Sequence, residues 1–320
     1  MPTPKFDIDE YSKRLIKVKE TNRLAIPKDS TIEGNFKMLN KIQKEVDIFN
    51  LDQVKEYFVK MKYSKKTIIN YLSIILHLIT YESYDDPEYK SKYQEFKKYF
   101  DDVNSDQDKM IESKKASTEQ KQKSQDTTKE EVMELIQKLN KLGMTKDALI
   151  LELLLDNPCR LEVGTLKYLK YNNFLKIEPD NQQNYLVLKI NKDSEPTILI
   201  SRASYKTSDK YGRATFELEN EKLTEKIANY IIINKLHEGS EVFGYTPPQL
   251  AKRLHYLTKK YNDGITLSTN AICKIHTTSE VKNVSPTIIE DMEQVESKLK
   301  KISTKRGTST EVLKKSYLKK

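Results

Sequence analysis

Apolar positions in the first hundred residues recur at helical spacing rather than strand spacing. From Ser30 onward, Phe36, Leu39, Ile42, Val46 and Phe49 return every three or four residues, and Ser30-Thr31-Ile32-Glu33 reads as a capping box ahead of them. After Leu51-Asp52, with Asp52 as the expected cap, Val54, Tyr57, Phe58 and Met61 mark a second helix. Ser64 is placed to cap a third, whose apolar face carries Ile68, Tyr71, Leu72, Ile75, Leu78 and Ile79. A fourth, tyrosine-rich and charged, runs from Pro87 to Phe100. The pattern predicts a four-helix domain over residues 29–102. An extended or partly helical arm precedes it over 1–28, and a polar linker follows over 103–126, where apolar periodicity stops.

Periodicity resumes in a second domain over residues 127–320. Val132, Leu135, Ile136, Leu139 and Leu142 form a helical stripe that Glu130 and Glu131 open and Gly143 stops. A more apolar helix, Lys146 to Leu155, ends at Asp156-Asn157-Pro158. The period then changes. Asn184 to Ile190 alternates, Pro196 to Ile200 is a β-branched run, and Ala214 to Leu218 returns after a turn. Helices resume at Leu223–Leu236 and Thr246–Tyr261, where Pro247 and Pro248 suit a first turn, and continue through Thr266–Val281 and Ser285–Lys301. The fold class expected is mainly α with a small antiparallel β-sheet, α+β.

Composition narrows the function. Lys+Arg 56 against Asp+Glu 47 gives a net charge of +9, which favours a polyanionic partner. The signs are interspersed, so any basic face has to be assembled by folding. Two cysteines, Cys159 and Cys273, are too few for a disulfide framework or a zinc site, and no metal site is expected. The opening Met1-Pro2-Thr3-Pro4-Lys5 is no signal peptide, and the longest apolar run, Ala148 to Leu155, is broken by Glu152 and too short for a bilayer. The expectation is an intracellular protein, neither secreted nor membrane-bound.

Four stretches carry chemistry. The Lys60–Thr67 turn sets Lys62, Ser64, Lys65, Lys66 and Thr67 at a helix N-terminus, where cations and hydroxyls can hold a phosphate; a solvated lysine turn is the other reading. Arg160, between a buried helix and an apolar segment, is no ordinary surface arginine; an ion pair with Glu162 or with a nearby helix end is the other reading. Tyr205-Lys206-Thr207-Ser208-Asp209-Lys210-Tyr211-Gly212-Arg213 is a basic hairpin tip, solvated or DNA-contacting. Gly307-Thr308-Ser309 turns into a short basic helix bearing Tyr317.

The order of these parts resembles the tyrosine recombinase (phage-type integrase) family, which shares its catalytic fold with type IB topoisomerases. The likeness runs from about Ser30 to Lys320 and is greatest to divergent members carried by large DNA viruses, virophages and related mobile elements. Pro158-Cys159-Arg160-Leu161-Glu162-Val163-Gly164-Thr165-Leu166 is similar to the box of the family's first arginine. Tyr205-Lys206-Thr207 is similar to its catalytic-lysine hairpin. Gly307-Thr308-Ser309, with Tyr317 nine positions after Thr308, is similar to its Gly-His-Ser…Tyr ending. The resemblance implies site-specific DNA recombination or integration through a 3′-phosphotyrosyl intermediate at Tyr317, with Arg160 clamping the phosphate and Lys206, or else Lys210, as general acid. It also implies duplex DNA as partner, self-association as a tetramer on DNA, no cofactor, and a place at DNA in host cytoplasm, viral factory or nucleus.

The departures fall on three positions. Asn270 and Cys273 stand where the family has a histidine and a second arginine, and Thr308 where it has another histidine. Losing one phosphate-clamping cation costs about 3–4 kcal/mol of transition-state stabilisation. Lys274 and His276 are the nearby residues that would compensate, although Lys274 is turned about 100° along a helix from Cys273. The expectation is a DNA-gripping recombinase with catalysis weakened or lost. The alternative is a catalytically inactive, recombinase-derived DNA-binding or architectural protein.

Overall fold

The computed structural model describes residues 5–113, 123–124, 126–157, 159–178, 181–191, 194–205, 208, 212–282 and 289–316. The chain forms two compact units, Met1–Ser113 and Lys114–Lys320.

The first unit holds five helices: α1 (Ile8–Thr21), α2 (Asp29–Ile42), α3 (Leu51–Lys60), α4 (Lys65–Glu82) and α5 (Glu88–Glu112). The expected arm is therefore a docked helix. Asp7 caps α1 by accepting from the Glu10 amide at 2.8 Å, and Tyr11, Leu15 and Val18 bury one stripe of it. Phe6 is fixed by a reciprocal pair with Gln43: its N–H donates to Oε1 at 3.0 Å, and Nε2 donates to its carbonyl at 2.8 Å. Three apolar residues among charged ones make a weak periodic signal, but each is well buried. The expected caps shift as well. α2 starts at Asp29 without a side-chain cap, so Ser30 already lies within the helix. Asn50, not Asp52, caps α3, while Ser64 does cap α4, accepting from the Thr67 amide at 3.3 Å.

Helix α5 runs twelve residues past Phe100, so the first part of the expected linker is helical. Charge pairs rather than apolar periodicity support this extension, with Lys97 paired to Asp101 one turn on and Lys65 to Asp106 at 2.7 Å. The unit's core gathers Leu39, Ile42, Ile48, Val54, Leu72, Ile75, Leu78, Ile79 and Phe96.

The second unit opens with α6 (Lys129–Lys141), started by a Thr128–Glu131 capping box, and α7 (Thr145–Asp156), buried on every side from Asp147 to Leu155. A 3-10 turn (Leu161–Thr165) leads to β1 (Lys167–Lys170) and the one-turn α8 (Tyr171–Phe174). Strands β2 (Tyr185–Asn191), β3 (Ser194–Arg202) and β4 (Ala214–Glu217) follow. Their pairing is antiparallel as expected, with Leu186 opposite Ile200 and Ile200 opposite Phe216. The sheet differs in one respect: β1 pairs parallel with β2, so the four-stranded sheet β1-β2-β3-β4 is mixed. A four-residue Lys-Tyr-Leu-Lys strand offers too little alternation to be read from sequence.

Among the described residues, five helices complete the unit: α9 (Glu221–Ile233), α10 (Pro247–Tyr261), α11 (Thr269–Lys282), α12 (Ile289–Arg306) and α13 (Thr310–Ser316). Gly164 lets the 3-10 turn meet the loop before α10, because a β-carbon there would lie 2.3 Å from the Tyr245 carbonyl oxygen. Helix α12 was expected to end at Lys301 but continues to Arg306. Its inward stripe is Leu299, Ile302, Ser303 and Arg306, and that extra turn positions the site.

Candidate active site

The end of α12 closes tightly. Gly307 takes a φ of 64°, the left-handed conformation glycine reaches without strain. The Thr308 amide then donates back to the Ser303 carbonyl at 3.0 Å, which fixes Arg306 as the last helical residue. Arg306 as a whole is 1% exposed. It donates through Nη1 to the Cys159 carbonyl at 3.1 Å and through Nη2 to Asn270 Oδ1 at 2.5 Å. One side chain thus ties together three stretches more than a hundred residues apart at their extremes: the Cys159-Arg160 box, the Asn270–Cys273 box on α11, and the Gly307-Thr308-Ser309 turn.

Arg160 is half-buried and leads into the 3-10 turn. Cys273 is fully buried, and burial pushes its thiol above the ordinary range against the opposing pull of Arg306, Arg160 and Lys274. Its sulfur lies 3.8 Å from Thr277 Oγ1. Cys159 behaves alike, pushed up to about 11 by burial despite Arg202 and Arg306 nearby. Both thiols are neutral at physiological pH, so neither balances the surrounding positive charge. Lys274 is half-buried beside Cys273. His276 is buried, with Nδ1 2.8 Å from the Leu155 carbonyl, and burial lowers its pKa; the ring braces α11 against the end of α7. Thr308 lines a groove of about 750 Å³ with Tyr205, Arg213, Phe216, Lys300 and Lys314.

Glu162 accepts from Arg202 Nη1 at 2.8 Å, and Arg202 Nη2 donates to the Lys305 carbonyl. Arg202 is completely buried, its guanidinium 5.0 Å from the Tyr205 ring centre and 5.6 Å from that of Phe216. Sequence reasoning missed both Arg202 and Arg306, yet each had a signal. Arg202 continues the inward alternation Ile198, Ile200, and Arg306 continues a helical stripe from Leu299 and Ile302.

Lys206, Lys210 and Tyr317 lie outside the described residues. Their flanks are described. Tyr205 donates its hydroxyl to the Gly212 carbonyl at 2.8 Å across the base of the hairpin tip, and Leu313 anchors α13 against Leu299 and Ile302.

In the first unit, the Lys62–Thr67 turn is partly occupied by its own contacts. Ser64 Oγ lies 3.0 Å from Thr67 Oγ1 and caps α4, while Lys65 is paired with Asp106. Lys62, at a φ of 51°, and Lys66 are exposed. Beside them Tyr63 stacks on Tyr71 with ring centres 5.2 Å apart. Among the described residues no helix is long and apolar enough to cross a membrane, and no group of three or more His, Cys, Asp or Glu gathers as a metal site would.

No protein-family model matches the chain, and no curated protein matches it. The chain is similar to a solved structure described as "Crystal structure of XerA recombinase", at 12% identity over 96% of this chain and 92% of that one, with a TM-score of 0.40.

Proposed function

We propose that this protein cuts and rejoins duplex DNA as a tyrosine-type site-specific recombinase, of the kind found on viral and other mobile elements. The first unit and the second unit each contribute to the grip on DNA, and copies of the chain assemble on paired sites. The Tyr317 hydroxyl gives up its proton to solvent and attacks a backbone phosphorus in line. The bond from phosphorus to the 5′-oxygen breaks, and Lys206 supplies the proton that makes this oxygen a hydroxyl. The product is a 3′-phosphotyrosyl bond, which a 5′-hydroxyl of a partner strand reverses to join DNA. Arg160 holds the non-bridging oxygens.

The observation that carries this reading is the bridge made by Arg306. It draws the Arg160 box, the Asn270–Cys273 box and the turn leading toward Tyr317 to one point. A second reading, DNA binding without chemistry, is favoured by the neutral, buried thiol at Cys273.

The experiment is covalent trapping. A nicked duplex, recovered from a random pool by its binding to the protein, is incubated with wild type and with Tyr317→Phe. A denaturation-resistant protein–DNA band in wild type, absent from Tyr317→Phe, is the expected result. Duplex binding with no band in either protein favours the second reading.

A further inference from the structure

Helix α10 turns a basic face to solvent. Leu250, Leu254, Leu257 and Thr258 form its buried stripe, so Lys252, Tyr256 and Lys259 stand on the opposite side, with Lys260 on their flank. All four are exposed, Tyr256 to 47%. Between Pro247 and Tyr261 there is no Asp or Glu, whereas every other described helix longer than one turn carries at least one. The acid-free face is therefore a local feature and not the chain's net charge of +9 spread evenly.

Neighbouring elements extend the face along the helix. Arg253 is committed to the fold: its Nε and Nη2 donate to the two carboxylate oxygens of Asp147 at 3.0 and 2.5 Å, which fixes α10 on the first turn of α7. Next to Asp147, Lys146 Nζ lies 4.4 Å from the Tyr245 ring centre, just ahead of α10. At the far end, Lys138 Nζ of α6 lies 3.5 Å from the Tyr261 carbonyl. Between them Lys260 donates to the Tyr256 hydroxyl at 3.0 Å, and that ring has Arg253 and Lys260 at 5.7 and 5.4 Å from its centre. These contacts of Lys138, Lys146 and Lys260 are with uncharged groups, which steady the ammonium groups and leave their charge in place.

A helix of 15 residues is about 22 Å long. Cations spread along it suit a row of phosphates, which recur about every 3.4 Å along each strand of a duplex. An anionic bilayer is the poorer match, because Tyr256 is the one large apolar side chain exposed on this helix.

We propose that the outer face of α10 is a docking surface for the backbone of duplex DNA, with Lys252, Lys259 and Lys260 on phosphates and Tyr256 against the sugar between them. This rests on the reading of DNA as the partner and on no chemistry at Tyr317.

The test is the salt dependence of duplex binding, since each phosphate contact contributes about 0.9 to the slope of log K against log salt. A fluorescent mixed-sequence duplex is titrated with the full chain over roughly 50–200 mM salt. One variant combines Lys252→Gln, Lys259→Gln and Lys260→Gln. A second makes the same charge change elsewhere in the unit, at the exposed Lys176, Lys222 and Lys235, each changed to Gln. The α10 variant is expected to flatten the slope by about 2–3 units, and the second variant by less than about one. Equal flattening in both, or none in the α10 variant, overturns the surface. So does wild-type protein that binds anionic lipid vesicles and no duplex. All six positions are exposed, and both variants are expected to melt with wild type. Should the α10 variant melt early, Lys252→Gln and Lys259→Gln are measured singly, and each is expected to flatten the slope by about 0.9. A slope that falls as expected while wild type never forms a covalent band keeps the surface and ends the recombinase reading. A covalent band with an unchanged slope does the reverse.

Discussion

Arg202 offers the sharpest test of how the second unit is held together. Its guanidinium is 0% exposed and pairs with Glu162, whose side chain is only 12% exposed, while Nη2 caps the Lys305 carbonyl at the end of α12. Arg202→Ala therefore leaves a nearly buried carboxylate without its cation and removes two ring contacts, from Tyr205 and Phe216. Removing one partner of a buried pair costs about 3–5 kcal/mol, a large share of the roughly 5–15 kcal/mol that holds a domain together. Replacing both partners, as Arg202→Met with Glu162→Leu, removes the stranded charge and fills the volume. The double variant is expected to recover at least about 2 kcal/mol of the single loss. Hydrogen exchange of β3 and β4 amides in the full chain reads this locally, through the opening free energy of those strands. A single-variant cost under about 1 kcal/mol, or a double variant as weak as the sum of its singles, refutes the reasoning.

Other predictions follow from the same structure. Gly164→Ala sets a β-carbon 2.3 Å from the Tyr245 carbonyl oxygen, and a clash with backbone cannot relax by a rotamer change. It should cost about 1–3 kcal/mol, read as a lower melting temperature. His77 is held neutral by burial, with its pKa pushed down from 6.5 to about 4. The folded form therefore takes up a proton less readily than the unfolded chain, so stability is intact above pH 6.5, falls as pH drops through 6.5, and levels off near 4. His77→Gln should flatten that decline in the first unit's thermal midpoint; an unchanged slope contradicts the account. Cys273→Arg, placing a long charged side chain at a fully buried position, should lower the melting temperature of the second unit. A Cys273→Arg variant that melts with wild type would contradict the tight packing at this position.

Much of the fold was legible because its signal is local. Ser64, the stripe on α4 and the Val132–Leu139 stripe on α6 read directly as helix starts and buried faces. The parts that the sequence left open or cut short share a physical cause. Helix α1 and the extension of α5 are held by partners distant in sequence, Gln43 for Phe6 and Lys65 for Asp106. Strand β1 is too short for alternation and is recruited by β2. At the site, family spacing points to Cys273 and Asn270, and the structure adds what spacing does not encode. A buried arginine five residues beyond the expected end of α12 reaches across to both boxes. His276, expected as a compensating group, has its Nδ1 at the Leu155 carbonyl. Arginines at inward positions of apolar stripes were the overlooked clue, and Arg202 and Arg306 both had it.

The central claim is tested most directly by identifying the residue that carries DNA. The trapped complex of wild-type protein with a strand-labelled nicked duplex is digested with trypsin and nuclease, and the modified peptide is sequenced by mass spectrometry. The account predicts a nucleotide joined through its 3′-phosphate to Tyr317, with a free 5′-hydroxyl on the released strand. A 5′-phosphoryl linkage, attachment at any other residue, or duplex binding with no linkage at all would contradict it.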